Sequence, residues 1–246
     1  MAKGRKLLEV EGVSKRFGGL QALQDVSFSM DEGELIGLIG PNASGKTTFL
    51  NVINGYYPPS IGRIYLDGER IDGLSPDQVA KRGVTRMFQV TRIFPRMSVL
   101  ENMLTIGHAI GRIPARDVVP RARRILAQLS LDDMIHENAG NLSGGQRKIL
   151  EFGTCFMVNP RLVLLDEPFA SIHPGLKGIL EGFMRAHYEE GGTLLVVSHD
   201  IPSVVASCPR LIVLNAGTII ADGPTEEVLK KDEVAEAYLG GITEEV

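Results

Sequence analysis

Hydrophobic residues recur at strand spacing near both ends of the chain and at helical spacing in the middle. Residues 7–10 and 24–30 alternate apolar and polar side chains, as half-buried strands do. Residues Leu35–Ile39 are almost continuously apolar, which is typical of a strand at the buried centre of a sheet. Between about residues 90 and 156 the spacing is helical, and from residue 162 strands and helices alternate again. The pattern therefore predicts an α/β core that is interrupted by a helical insert.

Turn residues and apolar runs set the remaining predicted elements. Asp67-Gly68 favours a hairpin turn after the strand at residues 61–66, and Ala216-Gly217 favours one between the last two strands. Further strands are predicted over residues 162–165, 193–198, 211–215 and 218–222. Helices are predicted over residues 46–53, 99–109, 118–129, 145–157, 176–188 and 226–239, with Pro114 and Pro120 as breaks.

Residues 40–47, Gly-Pro-Asn-Ala-Ser-Gly-Lys-Thr, fit the phosphate-loop pattern Gly-x-x-x-x-Gly-Lys-Ser/Thr without a mismatch. They lie between a predicted buried strand and a predicted helix, which is the context that such a loop requires. Its backbone N–H groups surround a triphosphate, Lys46 reaches the β and γ oxygens, and the Thr47 hydroxyl faces Mg²⁺. The candidate nucleotide-binding residues are Gly40, Pro41, Asn42, Ala43, Ser44, Gly45, Lys46, Thr47 and Thr48.

Two carboxylates follow the apolar run at residues 162–165. Asp166 ends this predicted strand at the sheet edge where the phosphate loop opens, so it can hold Mg²⁺ through water. Glu167 follows directly and points elsewhere, towards the γ-phosphate. The alternative for this pair, which precedes Pro168, is a turn with a solvated carboxylate.

A second glycine-rich segment, Asn141-Leu142-Ser143-Gly144-Gly145-Gln146, precedes that strand. Ser143 is a natural helix cap, and the free N–H groups behind it favour an anion. A second site for the same phosphate would be redundant within a monomer. Together with the phosphate loop and Asp166-Glu167, this segment resembles the ATP-binding cassette (ABC) family, and the resemblance runs nearly end to end.

The resemblance implies a fold class: an α/β P-loop NTPase core with a mixed sheet and flanking helices, an antiparallel β subdomain and an inserted α-helical subdomain. A single ABC ATPase domain would span residues 1–246. Residues of about 1–89 and 157–246 would form the RecA-like core, with the antiparallel β subdomain and the C-terminal helix. Residues of about 90–156 would form the helical subdomain.

The resemblance also implies roles for single residues. Glu167 would polarise the attacking water, and His199 would contact the γ-phosphate. Gln89 would meet Mg²⁺ and this water, which makes Glu167, His199 and Gln89 the catalytic candidates. Thr47, Gln89 and Asp166 are the candidate metal contacts. Phe17 would stack on adenine.

In the family, the Leu-Ser-Gly-Gly-Gln segment of one subunit covers the ATP that is bound to its partner. The residues at these positions are Ser143, Gly144, Gly145 and Gln146. Two positions depart from the family pattern. Ala43 stands where glycine is common, which adds only a methyl group. His173 stands where the inter-subunit loop carries Asp or Asn, which bears on communication between the two sites.

Within the family, the chain is most similar to the ATPase subunits of bacterial branched-chain amino-acid importers. The similar segments are Arg16-Phe17-Gly18-Gly19-Leu20, Asn51-Val52-Ile53-Asn54-Gly55, Thr85-Arg86-Met87-Phe88-Gln89 and Ala237-Tyr238-Leu239-Gly240. This implies ATP and Mg²⁺ as cofactors, a second ABC ATPase subunit, integral membrane permease subunits and, indirectly, a periplasmic or extracellular solute-binding protein. Two alternatives stay open: a lipopolysaccharide or lipid export ATPase, and a weakly catalytic regulatory ATP-binding protein.

Composition narrows the partners and the location. The formal net charge of -4 gives no electrostatic reason to expect nucleic acid. No apolar run approaches the roughly 18 residues that span a bilayer, and the basic N-terminus does not continue as a signal peptide. We expect a cytoplasmic protein, peripheral on the inner face of the membrane. The only basic cluster, predicted as a solvated face, is Arg112, Arg116, Arg121, Arg123 and Arg124.

A mixed apolar and basic patch follows Gln89. Ile93, Phe94 and Met97 lie beside Arg92 and Arg96 in the segment that joins the two predicted lobes. Short helices of partner proteins bind such patches through apolar anchors, so we expect the membrane subunits to dock here.

Overall fold

Ten strands form two sheets within residues 4–239, which are the residues that the computed structural model describes. The strands are β1 (Lys6–Phe17), β2 (Leu20–Asp31), β3 (Leu35–Ile39), β4 (Ile61–Leu66), β5 (Glu69–Arg70), β6 (Val84–Met87), β7 (Leu162–Asp166), β8 (Leu194–Val197), β9 (Arg210–Asn215) and β10 (Thr218–Pro224). The antiparallel sheet has the order β2-β1-β4-β5. The larger sheet has the order β10-β9-β3-β8-β7-β6, with five parallel strands and β10 antiparallel at one edge. This architecture confirms the predicted fold class.

Helices cover the faces of the larger sheet. They are α1 (Lys46–Ile53), α2 (Pro76–Lys81), α3 (Val99–Ile110), α4 (Ala115–Gln128), α5 (Gly144–Thr154), α6 (Pro174–Glu189), α7 (Ile201–Ser207), α8 (Thr225–Val228) and α9 (Asp232–Leu239). Between β6 and β7, the chain forms α3, α4 and α5, within the segment for which the sequence predicts a helical insert. None of the helices within residues 4–239 is long and apolar enough to cross a membrane.

Alternate residues of the parallel strands face two separate hydrophobic cores. In β3, Leu35 and Ile39 pack in one core, while Ile36 and Leu38 pack in the other. The first core includes residues of α3, α4 and α5, and the second includes residues of α1 and the antiparallel sheet. The helical segment and the antiparallel sheet therefore lie on opposite faces of the larger sheet. Burial on both faces explains why these strands are continuous apolar runs rather than alternating ones.

The structure corrects several predicted elements. The pattern missed the short elements α2, β6 and α7, and it joined α8 and α9 into one helix over residues 226–239. These two helices are separated by a tight turn, in which Lys230 and Lys231 donate backbone hydrogen bonds to residues three positions earlier. Helix α4 begins at Ala115, so Pro114 precedes the helix while Pro120 lies inside it.

The basic cluster is only partly a solvated face. Arg112 donates hydrogen bonds to the carbonyl oxygens of Lys81 and Val158, and Arg121 donates two to that of Phe156. These two side chains stabilise the packing of the helical segment, because they satisfy carbonyl groups at the ends of other elements. Of the residues that the sequence analysis assigns to the domain, 1–3 and 240–246 lie outside the described part of the chain.

Candidate functional site

The parallel strands bring most of the predicted site residues to one edge of the larger sheet. The phosphate loop follows β3, Asp166 and Glu167 lie at the end of β7, His199 follows β8, and Gln89 follows β6. Because the carboxyl ends of parallel strands meet at the same edge, residues from four distant parts of the chain converge. Residues from all four parts line one cleft of about 630 Å³, whereas Gly40, Pro41 and Asp166 are not among its lining residues. Its lining includes Asn42, Ala43, Ser44, Gly45, Lys46, Thr47 and Thr48 from the loop, together with Gln89, Glu167 and His199.

Two glycines of the phosphate loop are required by close approach of the backbone. A Cβ atom at Gly40 would collide with the carbonyl oxygen of Leu214. At Gly45, which has φ of 106°, a Cβ atom would lie 2.6 Å from the carbonyl oxygen of Ala22. Gly45 directly precedes α1, so its conformation turns the chain from the loop into the helix. Free N–H groups at such a helix start favour a phosphate.

Lys46 lies across the loop and fixes its shape. Its Nζ atom donates hydrogen bonds to the carbonyl oxygens of Gly40 at 2.7 Å and Pro41 at 2.8 Å, and to Oγ of Ser44 at 3.3 Å. Burial lowers the pKa of the Lys46 ammonium group, and the nearby Glu167 carboxylate opposes this shift. The positive charge is therefore held inside the cleft, where a phosphate would stabilise it.

Glu167 is turned away from Asp166 by an unusual backbone conformation. Its φ of 56° lies in the left-handed region, which non-glycine residues rarely adopt. The carboxylate accepts hydrogen bonds from Oγ of Ser198 at 3.0 Å and from the backbone N–H of His199 at 3.0 Å. The Nδ1 atom of His199 lies 2.8 Å from Oε2 of Glu167. The structure thus joins two of the three predicted catalytic candidates directly, and it adds Ser198, which the sequence analysis missed.

Asp166 is buried, and within residues 4–239 only one of its two carboxylate oxygens has a hydrogen-bond partner. Its Oδ2 atom accepts a hydrogen bond from Arg86 at 2.9 Å, and Arg86 also donates one to Oδ1 of Asn51 at 2.7 Å. The Oδ1 atom of Asp166 is buried without a hydrogen-bond partner among the described residues. Burial raises the pKa of the Asp166 carboxyl, whereas the Arg86 guanidinium lowers it. Asp166 therefore has one oxygen that is fixed by a cation and one that is free to bind another group.

Arg86 was not among the predicted site residues. It lines a smaller pocket of about 250 Å³ together with Thr47, Gln89 and Asp166. One signal in the sequence could have pointed to it: a charged residue that interrupts the short apolar strand before Gln89 must find a buried partner.

Phe17 lies outside the residues that line the main cleft. Its ring is 39% exposed, meets the Tyr57 ring edge-on at 5.1 Å, and has Nζ of Lys15 at 5.1 Å from its centroid. An exposed ring that is held by its neighbours can stack on a flat base with little loss of conformational freedom.

Ser143 begins α5 and is exposed to solvent. Its Oγ atom accepts a hydrogen bond from the backbone N–H of Gln146 at 3.3 Å, and Oε1 of Gln146 accepts one from the backbone N–H of Ser143 at 2.9 Å. This reciprocal pair fixes the turn that includes Gly144 and Gly145. The four residues are absent from the lining of the cleft, among the residues that the structure describes. The structure therefore leaves this helix start free on the surface of the monomer.

His173 caps α6. Its Nδ1 atom accepts a hydrogen bond from the backbone N–H of Gly175 at 3.2 Å. Asp and Asn cap helices in the same way, through a side-chain acceptor. The departure from the family pattern at His173 therefore preserves the local capping bond.

Comparison with known proteins gives one consistent result. The ABC transporter family matches residues 23–170 of the chain. The high-affinity branched-chain amino acid transport ATP-binding protein BraF of Pseudomonas aeruginosa is 36% identical, covering 96% of this chain and 98% of BraF. The corresponding protein LivG of Salmonella typhimurium is 35% identical, covering 95% of this chain and 98% of LivG.

Solved structures agree with these relatives. The ADP conformation of the ATP-binding cassette MJ1267 has a TM-score of 0.85 and 34% identity, covering 96% of this chain and 99% of that structure. The dimeric post-hydrolysis structure of the cassette MJ0796, bound to ADP and phosphate, has a TM-score of 0.79 and 26% identity, covering 89% of this chain and 99% of that structure.

Proposed function

The chain belongs to the ABC transporter family, and we propose that its ATP hydrolysis powers the import of branched-chain amino acids. Membership makes the chain a nucleotide-binding ATPase. The observation that carries the catalytic part is the contact of Glu167 with His199 in the cleft of the phosphate loop. The substrate class rests on 36% identity to BraF over 96% of this chain. We further propose that the helical segment at about residues 90–156 is a subdomain of its own.

Binding of the triphosphate is assigned to the loop and to Lys46. The loop at residues 40–48 supplies backbone N–H groups at every residue except Pro41, and Lys46 supplies the positive charge within them. Phe17 is assigned to the adenine ring. Stacking discriminates weakly between bases, so the preference for ATP over GTP rests on the family.

Activation of water is assigned to Glu167. Its carboxylate is fixed by Ser198 and the backbone of His199, so it can accept a proton from a water molecule without reorienting. The imidazole of His199 contacts this carboxylate, is 66% exposed and lines the cleft, where it can contact the γ-phosphate. Gln89, in the loop after β6, lines the same cleft and can orient the water.

The residues present fit a magnesium ion. The free Oδ1 atom of Asp166 is an orphaned buried acceptor, and the Thr47 hydroxyl lies on the neighbouring helix α1. Oxygen atoms are the ligands that Mg²⁺ prefers, and it usually binds through few protein groups and several waters. Thr47, Asp166 and Gln89 would hold the ion, which would neutralise charge on the phosphates.

A second ATPase subunit is proposed to complete the site. The start of α5 at Ser143 is fixed, exposed and separate from the chain's own cleft. A phosphate bound in a partner's cleft would satisfy the N–H groups behind Ser143, Gly144 and Gly145, with Gln146 fixing the turn. The dimeric MJ0796 structure supports an arrangement of two cassettes.

Membrane permease subunits are proposed to dock beside the glutamine loop. Val90 is 76% exposed and Phe94 is 46% exposed, whereas Ile93 packs partly against the core. An adjoining groove of about 290 Å³ is lined by Tyr56, Phe88 and residues of α2 and α3. Exposed apolar residues next to an apolar groove suit a short partner helix. The chain would then lie on the inner face of the membrane, and a solute-binding protein would act through the permease.

A weakly catalytic regulatory role is the second candidate, because His173 departs from the family pattern. The capping bond of His173 to Gly175 weakens this alternative, since the loop keeps its local support. The other alternative is that the chain powers lipid export instead of amino-acid import.

The experiment uses the complex of this chain with its membrane subunits, reconstituted in proteoliposomes with the solute-binding protein. We expect ATP turnover to rise when leucine, isoleucine or valine is added on the side of the binding protein. Ser143→Arg should abolish turnover while the isolated chain still binds ATP. Turnover that ignores these amino acids but responds to a lipid would overturn the proposed substrate class.

A further inference from the structure

Helix α5 buries two charged side chains that the proposed function does not use. Lys148 is 6% exposed and Glu151 is 3% exposed. Charged residues are seldom buried so deeply unless they are paired. Within residues 4–239, neither forms an ion pair; each instead reaches the backbone of a different loop at the cleft.

Glu151 holds the loop that contains Gln89. Its Oε1 atom accepts a hydrogen bond from the backbone N–H of Phe88 at 3.3 Å. The Phe88 ring is itself fixed, since the guanidinium carbon of Arg92 lies 4.0 Å from its centroid and that of Arg86 lies 4.8 Å away. The position of α5 is therefore tied to the residue that directly precedes Gln89.

Lys148 holds the loop that follows Glu167. Its Nζ atom donates a hydrogen bond to the carbonyl oxygen of Ala170 at 2.8 Å. The N–H of Ala170 in turn donates to the carbonyl oxygen of Glu167 at 3.3 Å. The same helix is therefore tied to the turn that carries the proposed catalytic carboxylate.

The two contacts come from one side of one helix. Residues three positions apart lie on the same face, so Lys148 and Glu151 reach out from neighbouring points of α5. Breaking either contact would leave a buried polar group without its hydrogen-bond partner, which is expensive in free energy. Movement of either loop should therefore move α5, and with it the turn at Ser143.

We propose that Lys148 and Glu151 are positioning residues that make α5 a rigid link between the glutamine loop, the loop after Glu167 and the Ser143 turn. The link would transmit the nucleotide state of the chain's own cleft to the Ser143 turn, which is proposed to contact the nucleotide of the partner subunit. This proposal rests on the proposed contact of Ser143 with the partner's nucleotide. It adds the contacts through which the chain's own cleft would control that contact.

The test measures the distance between the glutamine loop and α5 by electron paramagnetic resonance. Nitroxide labels are placed at two exposed positions, Val90→Cys and Arg147→Cys. The native Cys155 and Cys208 are buried, and burial raises the pKa of both thiols, so they react slowly with the label. We expect one narrow distance distribution in the unsubstituted chain, both without nucleotide and with ATP.

Glu151→Met should lose the narrow distribution, because it removes the acceptor but keeps an unbranched side chain of similar length. Glu151→Gln should restore it, because its amide oxygen can still accept from Phe88. ATP binding by the isolated chain should be unchanged in all of these variants, whereas turnover in the complex should fall about tenfold in Glu151→Met and in Lys148→Met. Arg123→Met, an exposed position on α4, is the matched control for Lys148→Met.

An unchanged distance distribution in Glu151→Met, or an equally broad one in Glu151→Gln, would overturn the link. If Glu151→Met fails to fold, the comparison of Lys148→Met with Arg123→Met decides the question through turnover at equal ATP binding. The distance measurement needs neither hydrolysis nor transport. It can therefore fail while the proposed function holds, and the reverse is equally true.

Discussion

At the scale of single residues, the cleft depends on backbone conformations that side chains normally avoid. Ala43 and Glu167 both have positive φ, at 61° and 56°. Each left-handed non-glycine residue costs about 1–2 kcal/mol. At Glu167 the conformation is offset by the bonds from Ser198 and His199, which form only because the carboxylate is turned towards them. Two of the left-handed non-glycine residues thus lie where the chemistry is proposed.

Lys46 and Glu167 should have separable roles. Lys46→Ala should lose ATP binding, because the side chain supplies the positive charge within the loop. Glu167→Gln should keep binding and lower turnover by about 10²–10⁴-fold, the usual contribution of a general base. Nucleotide titration and phosphate release measure the two quantities. Turnover at the unsubstituted rate in Glu167→Gln would show that another group activates the water.

Glu151 should make the stability of the chain depend on pH. Burial raises the pKa of its carboxyl from 4.5 to about 7, against the hydrogen bond from Phe88. Between these values the folded state holds a proton that the unfolded state has lost, so the free energy of unfolding falls as the pH rises through this window. Above pH 7 the loss amounts to about 3 kcal/mol.

Glu151→Gln removes this titration. We expect the variant to match the unsubstituted chain near the lower end of the window and to exceed it in stability near pH 8, as measured by urea unfolding. Glu189→Gln, at an exposed position on α6, controls for loss of a charge. If Glu151→Gln is less stable than the unsubstituted chain at pH 8, the predicted fall of the free energy of unfolding with rising pH is contradicted.

At the scale of elements, the neighbouring helices α5 and α6 are buried to very different extents. Helix α5 is buried over residues 148–153, while α6 buries only Leu180 and Met184. The same substitution should therefore have opposite effects in them. An added Cβ at Gly182 of α6 meets nothing within 4 Å, whereas one at Gly153 of α5 would lie 2.8 Å from Cδ1 of Leu129.

Gly182→Ala should stabilise the chain by about 0.5–1 kcal/mol, since glycine inside a helix costs that much relative to alanine. Gly153→Ala should destabilise it by about 1–3 kcal/mol, because the core around Leu129 and Ile125 is already filled. Urea unfolding of both variants measures the difference. Equal effects of the same sign would show that the packing around α5 is looser than described.

The sequence predicted the longer helices well, but it found only part of the two longest strands, β1 and β2, and it missed several short elements. The boundaries of β3 and α1 match the prediction, because a continuous apolar run and a phosphate loop are local signals. Helix α2 is six residues long and shows no helical stripe, although Ser75 and Gln78 form a capping box that could have revealed it. Strand β6 is interrupted by Arg86, whose buried partner Asp166 is eighty positions away.

At the scale of the whole molecule, the site could be predicted from the sequence only where its residues are contiguous. The phosphate loop could be located from the sequence because its residues are contiguous. The contacts of Glu167 with Ser198, of Asp166 with Arg86 and of Glu151 with Phe88 could not, because they exist only where β6, β7, β8 and α5 converge. Local motifs predict which residues bind nucleotide; the tertiary fold decides which of those residues lie together.

The docking surface can be tested without disturbing the fold. The buried Asn102 accepts a hydrogen bond from the backbone N–H of Phe94 at 2.7 Å and donates one to its carbonyl oxygen at 3.0 Å. The backbone is therefore held while the ring stays exposed. Phe94→Asp should leave ATP binding intact and weaken binding of the permease subunits by at least about tenfold, as loss of an apolar anchor does.

Co-purification from membranes and turnover in the complex measure this loss. Leu229→Asp is the matched control, because Leu229 is an exposed apolar residue outside the proposed surface. An unimpaired complex that carries Phe94→Asp would remove the argument for docking beside the glutamine loop.

The central claim is that hydrolysis in this cleft powers the uptake of branched-chain amino acids. The most direct measurement is uptake of radiolabelled leucine by cells in which the chain is replaced by the Glu167→Gln variant, with uptake of an unrelated solute as the control. We predict that leucine uptake is lost while the variant is still present and assembled with its membrane subunits, and that uptake of the unrelated solute is unchanged. Leucine uptake at the unsubstituted rate would contradict the account.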